Sequence, residues 1–234
     1  MSCESLGLDS KLALLRLLQL ASPALPIGAY SYSQGLEAVV AEGLVHDEES
    51  AGRWIGELLD CIVATGEAAF LWRLLTAVER NDCSACVLWN ARFRASRETA
   101  ELRAETEQMG GSLAKLALEL ELLDGAAREM LPRLQPVTLP AAFALTAHGF
   151  GLPSGPALTA YLWSWLENQV IAAIKTVPLG QVSGQRVLKQ LAARVQAAAA
   201  IAMTIDDDDV TAFAPGLALA SCQHETQYTR LFRS

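Results

Sequence analysis

Apolar positions recur every three or four residues along almost the whole chain, which is the spacing of one face of an α-helix. The clearest such stripe consists of Leu188, Leu191, Val195, Ala198 and Ala202. Alternating runs of β-branched residues, which are typical of strands, are essentially absent. The pattern therefore predicts an all-α fold, a compact bundle of about nine or ten helices.

Short segments containing proline and glycine separate the predicted helices. Asp47, Ser96 and Ser183 each stand immediately before a helical pattern, where a side-chain oxygen accepts a free backbone N–H, so we predict that they are N-caps. The sequence contains no internal repeat and no long Ser/Gly linker. We therefore expect residues 1–234 to form a single domain.

A dense polar run interrupts the apolar pattern near the start of the chain. Pro23, Pro26 and Gly28 predict a turn between two helices. Hydrogen-bonding and aromatic side chains follow at once: Tyr30, Ser31, Tyr32, Ser33 and Gln34. Two interpretations stay open. The run is a turn that caps the next helix through a serine, or it is a contact surface or the lining of a polar passage.

The composition is apolar, with 52% hydrophobic and 19% charged residues. We expect part of this apolar surplus to be buried between subunits or partners. The net charge of −8 argues against a nucleic-acid-binding protein. No N-terminal signal segment is visible, and the five cysteines are scattered and odd in number, so we expect a cytoplasmic protein with reduced thiols.

Residues 134–166 contain no Asp, Glu, Lys or Arg, which at first suggests a membrane span. Four prolines and three glycines interrupt this stretch, so no helix of about 20 residues can form there. We expect a buried helix, a loop and a second helix, with no membrane contact.

The sequence lacks the motifs of several common enzyme classes. None of the four lysines follows a glycine, so there is no phosphate-binding loop, and neither a G-x-S-x-G nor an H-E-x-x-H motif occurs. The three histidines lie far apart in sequence, so no single helix presents two imidazoles to a metal. His224 is the best metal candidate because Cys222 and Glu225 adjoin it, but we expect no metal, no cofactor and no catalytic residue.

Two further motifs could form a metal or reactive-thiol site, or could have an ordinary structural role. Cys83 and Cys86 form a C-x-x-C at a helix start, where the helix dipole favours a lower thiol pKa, but a second pair for a zinc site is missing. The run Asp206–Asp209 could hold magnesium, as in all-α magnesium-dependent transferases, although Val210 breaks the D-D-x-x-D pattern. We expect two semi-buried cysteines and a solvated turn, and keep the transferase as the alternative function.

The segment 97–110 is rich in both charges. Arg97 and Glu101 are four residues apart, as are Arg103 and Glu107, which predicts two ion pairs along one helix. By itself this pattern indicates a solvent-exposed helix face.

Four blocks of the sequence resemble the UreF family of urease accessory proteins. They are LPIGAYSYSQGLE (25–37), RETAELRAETEQMG (97–110), WLENQVIAAIKTVPLGQ (165–181) and HETQYTRLFRS (224–234), in the order found in that family. The resemblance implies an all-α homodimer without catalysis of its own. It also implies a role in nickel delivery to apo-urease, between the nickel-carrying GTPase UreG and the accessory protein UreD, also called UreH. There the protein recruits the GTPase and gates GTP hydrolysis or nickel release.

We expect the partner-binding residues to lie in these blocks. They are Tyr30, Ser33, Gln34, Glu37, Arg97, Glu98, Arg103, Glu167, Asn168, Gln169, Lys175, Gly180, Gln181, His224, Glu225, Tyr228, Arg230, Leu231, Phe232 and Arg233. The tail 222–234 is expected to bind the UreD-type partner. Because chain ends usually fray, residues 224–234 are expected to order only on binding, so that deletion of residues 230–234 changes stability little.

Overall fold

Helices make up nearly all of the regular structure in the computed structural model, which describes residues 8–234. The eleven α-helices of this range are α1 Leu8–Leu20, α2 Leu36–Ala41, α3 Glu48–Leu58, α4 Glu67–Glu79, α5 Cys83–Ser96, α6 Ala100–Glu119, α7 Gly125–Met130, α8 Leu139–Gly149, α9 Ser154–Thr176, α10 Gln181–Thr204 and α11 Pro215–Glu225. Short 3-10 helices span Ala29–Ser31 and Leu131–Leu134, and a π-helical segment, Leu59–Val63, continues α3. The all-α prediction is confirmed.

The helix α8 forms the centre of the core. Its residues 140–147 are all buried, and α8 packs against α4 and α6, while α9 packs against α10. The charge-free stretch thus forms a buried helix, a loop and a second helix, as predicted. Within residues 8–234, no single helix meets the length and hydropathy needed to cross a membrane. The bent pair Glu48–Val63 and Glu67–Glu79, at 47°, meets those limits together.

One of the three predicted N-caps is confirmed and two are wrong. Asp47 caps α3, accepting the N–H of Ser50 at 2.8 Å. Ser96 is the last residue of α5. Thr99 caps α6 instead, since its hydroxyl accepts the N–H of Leu102 at 3.1 Å, and the same hydroxyl contacts the buried Ser221 of α11. Ser183 lies inside α10, which begins at Gln181 directly after the Pro-Leu-Gly sequence.

The predicted ion pairs on α6 are also wrong. Arg97 precedes the helix, so it lacks the i,i+4 geometry, and its buried guanidinium pairs with Glu67 of α4 at 3.0 Å. Arg103 donates to the backbone carbonyl of Arg97, while Glu107 pairs with an arginine of α5. Much of this helix surface faces the protein interior.

The contact between α6 and α8 depends on a glycine. A Cβ atom on Gly110 would lie 2.5 Å from the carbonyl oxygen of Val137 and from the carbonyl carbon of Thr138. The neighbouring Gly111 has no such contact within 4 Å. Only the first glycine of the pair is therefore required for close helix packing.

We predict that Gly110→Ala lowers the free energy of unfolding by about 1–3 kcal/mol, because backbone atoms must move to admit the methyl group. Urea denaturation measures this difference. The matched control, Gly111→Ala, should leave stability unchanged or raise it by up to about 1 kcal/mol through helix propensity. Equal effects of the two substitutions would refute the packing argument.

Candidate functional site

The terminal segment, residues 226–234, runs against the turn that precedes α2. Arg233 donates its backbone N–H to the carbonyl of Ser31 at 2.7 Å. Ser33 donates both its N–H and its hydroxyl to the carbonyl of Ser234, each at 2.6 Å. Phe232 and Ser234 are buried. The expectation that this segment orders only on binding a partner is therefore wrong, because its backbone groups and Phe232 already have partners within the fold.

The turn predicted from Pro23, Pro26 and Gly28 lies between α1 and α2, and it includes two positive φ angles that the sequence does not predict. Gly28, Gln34 and Gly35 all adopt positive φ angles, of 80°, 52° and 78°. At Gly35 an added Cβ would lie 3.1 Å from the side chain of Ala220, so α11 packs closely on this turn. The Ser33 hydroxyl meets the N–H of Glu37 only at 3.4 Å, so its main role is to hold the terminal segment rather than to cap α2.

Three carboxylates accept hydrogen bonds from the terminal segment: Glu37 on α2, and Glu101 and Glu105 on α6. We call them the glutamate cluster. Glu37 accepts two consecutive backbone N–H groups, from Leu231 at 2.7 Å and from Phe232 at 2.9 Å. A carboxylate that accepts two backbone donors fixes the direction of the segment as well as its position.

His224 joins α11 to this cluster. Its ring is fully buried, with Nδ1 at 2.8 Å from Glu101 and Nε2 at 3.2 Å from Glu37. Arg230 donates to the other oxygen of Glu101 at 2.8 Å. Both ring nitrogens are thus occupied, and the neighbouring Cys222 is exposed. Within residues 8–234, no group of three or more His, Cys, Asp or Glu residues is arranged to hold a metal ion.

Glu105 is the most deeply buried member of the cluster. It accepts the Gln34 amide N–H at 2.8 Å and the Ser234 hydroxyl at 3.0 Å, and it forms no ion pair with any described residue. Burial raises the pKa of Glu105 to about 7, although those two hydrogen bonds and the charge of Arg97 act in the opposite direction. The side-chain oxygen of Gln34 accepts the indole N–H of Trp165 at 2.8 Å, which connects the cluster to α9.

A small cavity of about 50 Å³ adjoins Glu105 and has Glu67, Tyr161 and Gln34 in its lining. The Tyr161 hydroxyl donates to Glu67, which also pairs with the Arg97 guanidinium. Burial, followed by the charge of Glu67, raises the pKa of Tyr161 well above its usual value. The cavity therefore has an apolar wall and a wall of polar groups that mostly satisfy one another.

Other predicted partner-binding residues lie around this centre. The Lys175 ammonium is 5.7 Å from the ring centroid of Tyr30 and 5.5 Å from that of Phe232. Asn168 donates to the carbonyl of Tyr32 at 3.2 Å, and Gln169 donates to Gln34 at 3.3 Å.

The remaining predicted residues do not join the cluster. Burial raises the pKa of the half-buried Glu167. Within the described chain, no polar contact to the glutamate cluster is found for the exposed residues Glu98, Arg103, Gly180, Gln181, Glu225 and Tyr228.

Two acidic residues of α6 that contact the terminal segment, Glu101 and Glu105, are absent from the predicted partner-binding residues. Glu101, Glu105 and Gln108 recur at intervals of four and three, which places them on one helix face. Together with the apolar residues between them, this spacing indicates that the face carrying Glu101 and Glu105 is directed toward the protein interior. The high charge of the segment instead suggested a solvent-exposed face.

The two remaining sequence motifs have structural roles. Asp82 caps α5, and burial raises the pKa of the Cys86 thiol to about 12, with smaller effects from Cys83 and Asp82. This shift is opposite to the lowering expected from the helix dipole. Of the aspartate run, Asp207 pairs with Arg73 at 2.9 Å.

Comparison with known proteins gives consistent matches. A family model described as UreF matches residues 45–192. The "Urease accessory protein UreF" of Janthinobacterium sp. (strain Marseille) is 52% identical over 222 residues, which cover 95% of this chain and 98% of that protein. The proteins of the same name from Nitrosospira multiformis and Azoarcus sp. (strain BH72) are 50% and 51% identical, again over 95% of this chain and over 98% and 96% of their own lengths.

The buried Glu105 predicts a specific pH dependence of stability. Because its pKa is raised from 4.5 to about 7, the folded state binds a proton that the unfolded state releases between these values. Stability is therefore lost as pH rises through this window, by about 3 kcal/mol. Glu105→Gln should remove this loss, as measured by urea denaturation at pH 5 and pH 8.

The exposed Glu98 provides the control, since Glu98→Gln should retain the pH dependence of the unmodified chain. An unchanged difference between pH 5 and pH 8 in Glu105→Gln would show that Glu105 is not the titrating group.

Proposed function

Because the chain belongs to the UreF family of urease accessory proteins, we propose that it acts as a non-catalytic scaffold in urease maturation. In this role it recruits the nickel-carrying GTPase UreG to the UreD/UreH-type partner and to apo-urease, and it gates GTP hydrolysis or nickel release. It does this work in the cytoplasm.

The convergence of the four family-like blocks carries the proposal. The turn before α2, the start of α6, the middle of α9 and the terminal segment contact one another through partly or fully buried hydrogen bonds. Several residues of the same blocks are exposed to solvent: Tyr30, Lys175, Tyr228, Leu231 and Arg233. A rigid polar base beneath exposed aromatic, aliphatic and arginine side chains is an arrangement suited to protein recognition.

The cavity beside Glu105 gives no support to a substrate site within the glutamate cluster. Its volume of about 50 Å³ is well below the roughly 300–1,000 Å³ typical of ligand pockets. Its acidic groups are engaged with Arg97, Tyr161 and Gln34. The transferase alternative receives less support, because Asp207 is engaged with Arg73 and the family relationship points to an accessory protein.

The proposed homodimer agrees with the surface of α1. Leu12, Leu14, Leu15 and Leu18 are each about half exposed or more, although they share one helix of 13 residues. Apolar surface of this extent favours burial in a complex.

We predict that Lys175→Ala leaves the fold intact but weakens GTPase recruitment and urease activation. The lysine is exposed, and its contacts with the rings of Tyr30 and Phe232 are of the kind worth about 0.5–1 kcal/mol at exposed sites. Circular dichroism checks the fold. Co-purification of purified GTPase and UreD-type partner, followed by nickel-dependent urease activity, measures the functional effect.

The matched control is Lys189→Ala, which removes an exposed lysine on a different helix, α10. It should behave as the unmodified chain. Full complex formation by Lys175→Ala would remove this residue from the proposed interface, whereas loss of helix content would make it a structural residue.

A further inference from the structure

A second surface hollow lies between α4, α5 and the end of α10. Its volume is about 370 Å³, and it shares no lining residue with the glutamate cluster or its cavity. It adjoins both sequence motifs that the proposed function leaves unused. Ala85 of the C-x-x-C segment and Asp207 of the aspartate run are in its lining.

One wall of the hollow is fixed by Arg73, whose side chain is only 10% exposed. This guanidinium donates to the carbonyls of Ala202, at 2.9 Å, and Ile205 at the end of α10, and to the carboxylate of Asp207 at 2.9 Å. Free carbonyls at a helix end carry partial negative charge, so a buried cation stabilises that end. Asp207 is therefore held in place as part of the wall.

The floor of the hollow is the indole ring of Trp89, and the guanidinium group of a second arginine, Arg92, lies over this ring. Trp89 is buried against Phe70, with ring centroids 5.9 Å apart. The guanidinium carbon of Arg92 lies 4.6 Å from the Trp89 ring centroid, which restricts the orientation of the planar group. Arg92 donates to the Asp207 carbonyl at 3.4 Å, leaving most of its N–H groups for another acceptor.

Two guanidinium groups beside this floor lack acidic partners. Arg80 is exposed immediately after α4, and within residues 8–234 neither Arg80 nor Arg92 forms an ion pair. Trp72 contributes a second, half-buried indole to the same hollow. Tryptophan and arginine are the residue types most enriched where binding energy concentrates in protein interfaces.

We propose that this hollow is a docking site for an acidic segment of a protein partner. An aliphatic or aromatic side chain of that segment would contact Trp72 and Trp89, while its carboxylates would accept hydrogen bonds from Arg80 and Arg92. The planar guanidinium fork matches a carboxylate in geometry as well as charge. Because neither Arg80 nor Arg92 is neutralised by an ion pair within the described chain, the two guanidinium groups are complementary in charge to the carboxylates of such a segment.

The aspartate run sets the direction of entry. Asp206, Asp208 and Asp209 are exposed and adjoin the lining residue Asp207 in sequence, so they repel an incoming carboxylate on that side. In the proposed orientation the acidic part of the segment lies next to Arg80, at the end of α4, and its apolar side chain lies toward the indoles.

The test is a titration of the full chain, followed by tryptophan fluorescence, with the acetylated and amidated peptide Asp-Glu-Leu-Asp-Glu-Leu-Asp. Saturable binding is expected, and Arg80→Ala and Arg92→Ala should each weaken it at least tenfold. Arg133→Ala, which removes an exposed arginine outside the hollow, should not change it. Raised salt should weaken binding because the contacts are ionic. Trp72→Phe should reduce the fluorescence change.

Absence of saturable binding up to about 1 mM peptide, an affinity of about −4 kcal/mol, would overturn the proposal. Equal binding of a peptide with Asn and Gln in place of Asp and Glu would also overturn it. So would displacement of the peptide by equimolar inorganic phosphate, which would identify a simple anion site. If Arg92→Ala loses helix content, Arg80→Ala decides the outcome, because that side chain is exposed and makes no ion pair within the described chain.

Discussion

The carboxylate of Glu37 is the interaction on which the arrangement of the candidate site depends. It accepts two successive backbone N–H groups of the terminal segment and lies 3.2 Å from the buried ring of His224. Burying backbone donors without acceptors costs about 1–3 kcal/mol each, and a carboxylate is among their strongest acceptors. One side chain of the short helix α2 therefore determines where residues 231 and 232 lie and how α11 packs.

The α6 glutamates extend this constraint into the core, and the two are held differently. Glu101 has both His224 and Arg230 as partners, whereas Glu105 has only neutral hydrogen-bond donors and is fully buried. That contrast explains why the pKa of Glu105 is raised to about 7. The cluster thus contributes directional hydrogen bonds at a cost in buried charge. This combination favours one defined arrangement of the terminal segment over maximal stability.

The sequence predicted the helical fold because apolar spacing records which helix faces are buried, as the stripe from Leu188 to Ala202 shows. It predicted the turn between α1 and α2 because Pro23, Pro26 and Gly28 interrupt the helical pattern. Pairings between distant residues were not predictable. Arg97 pairs with Glu67, thirty positions away, rather than with its neighbour on α6. The order of the terminal segment was not predictable for the same reason, because its partners Ser31 and Glu37 lie about two hundred positions earlier in the chain.

Hydrogen exchange of the backbone amides of Leu231, Phe232 and Arg233 in the isolated chain tests the central claim most directly. The three amides donate to the Glu37 carboxylate and the Ser31 carbonyl, so they should exchange at least tenfold more slowly than in an unstructured peptide of the same sequence. In Glu37→Ala the protection of Leu231 and Phe232 should be lost. Exchange of all three amides at the unstructured rate in the unmodified chain would contradict the account.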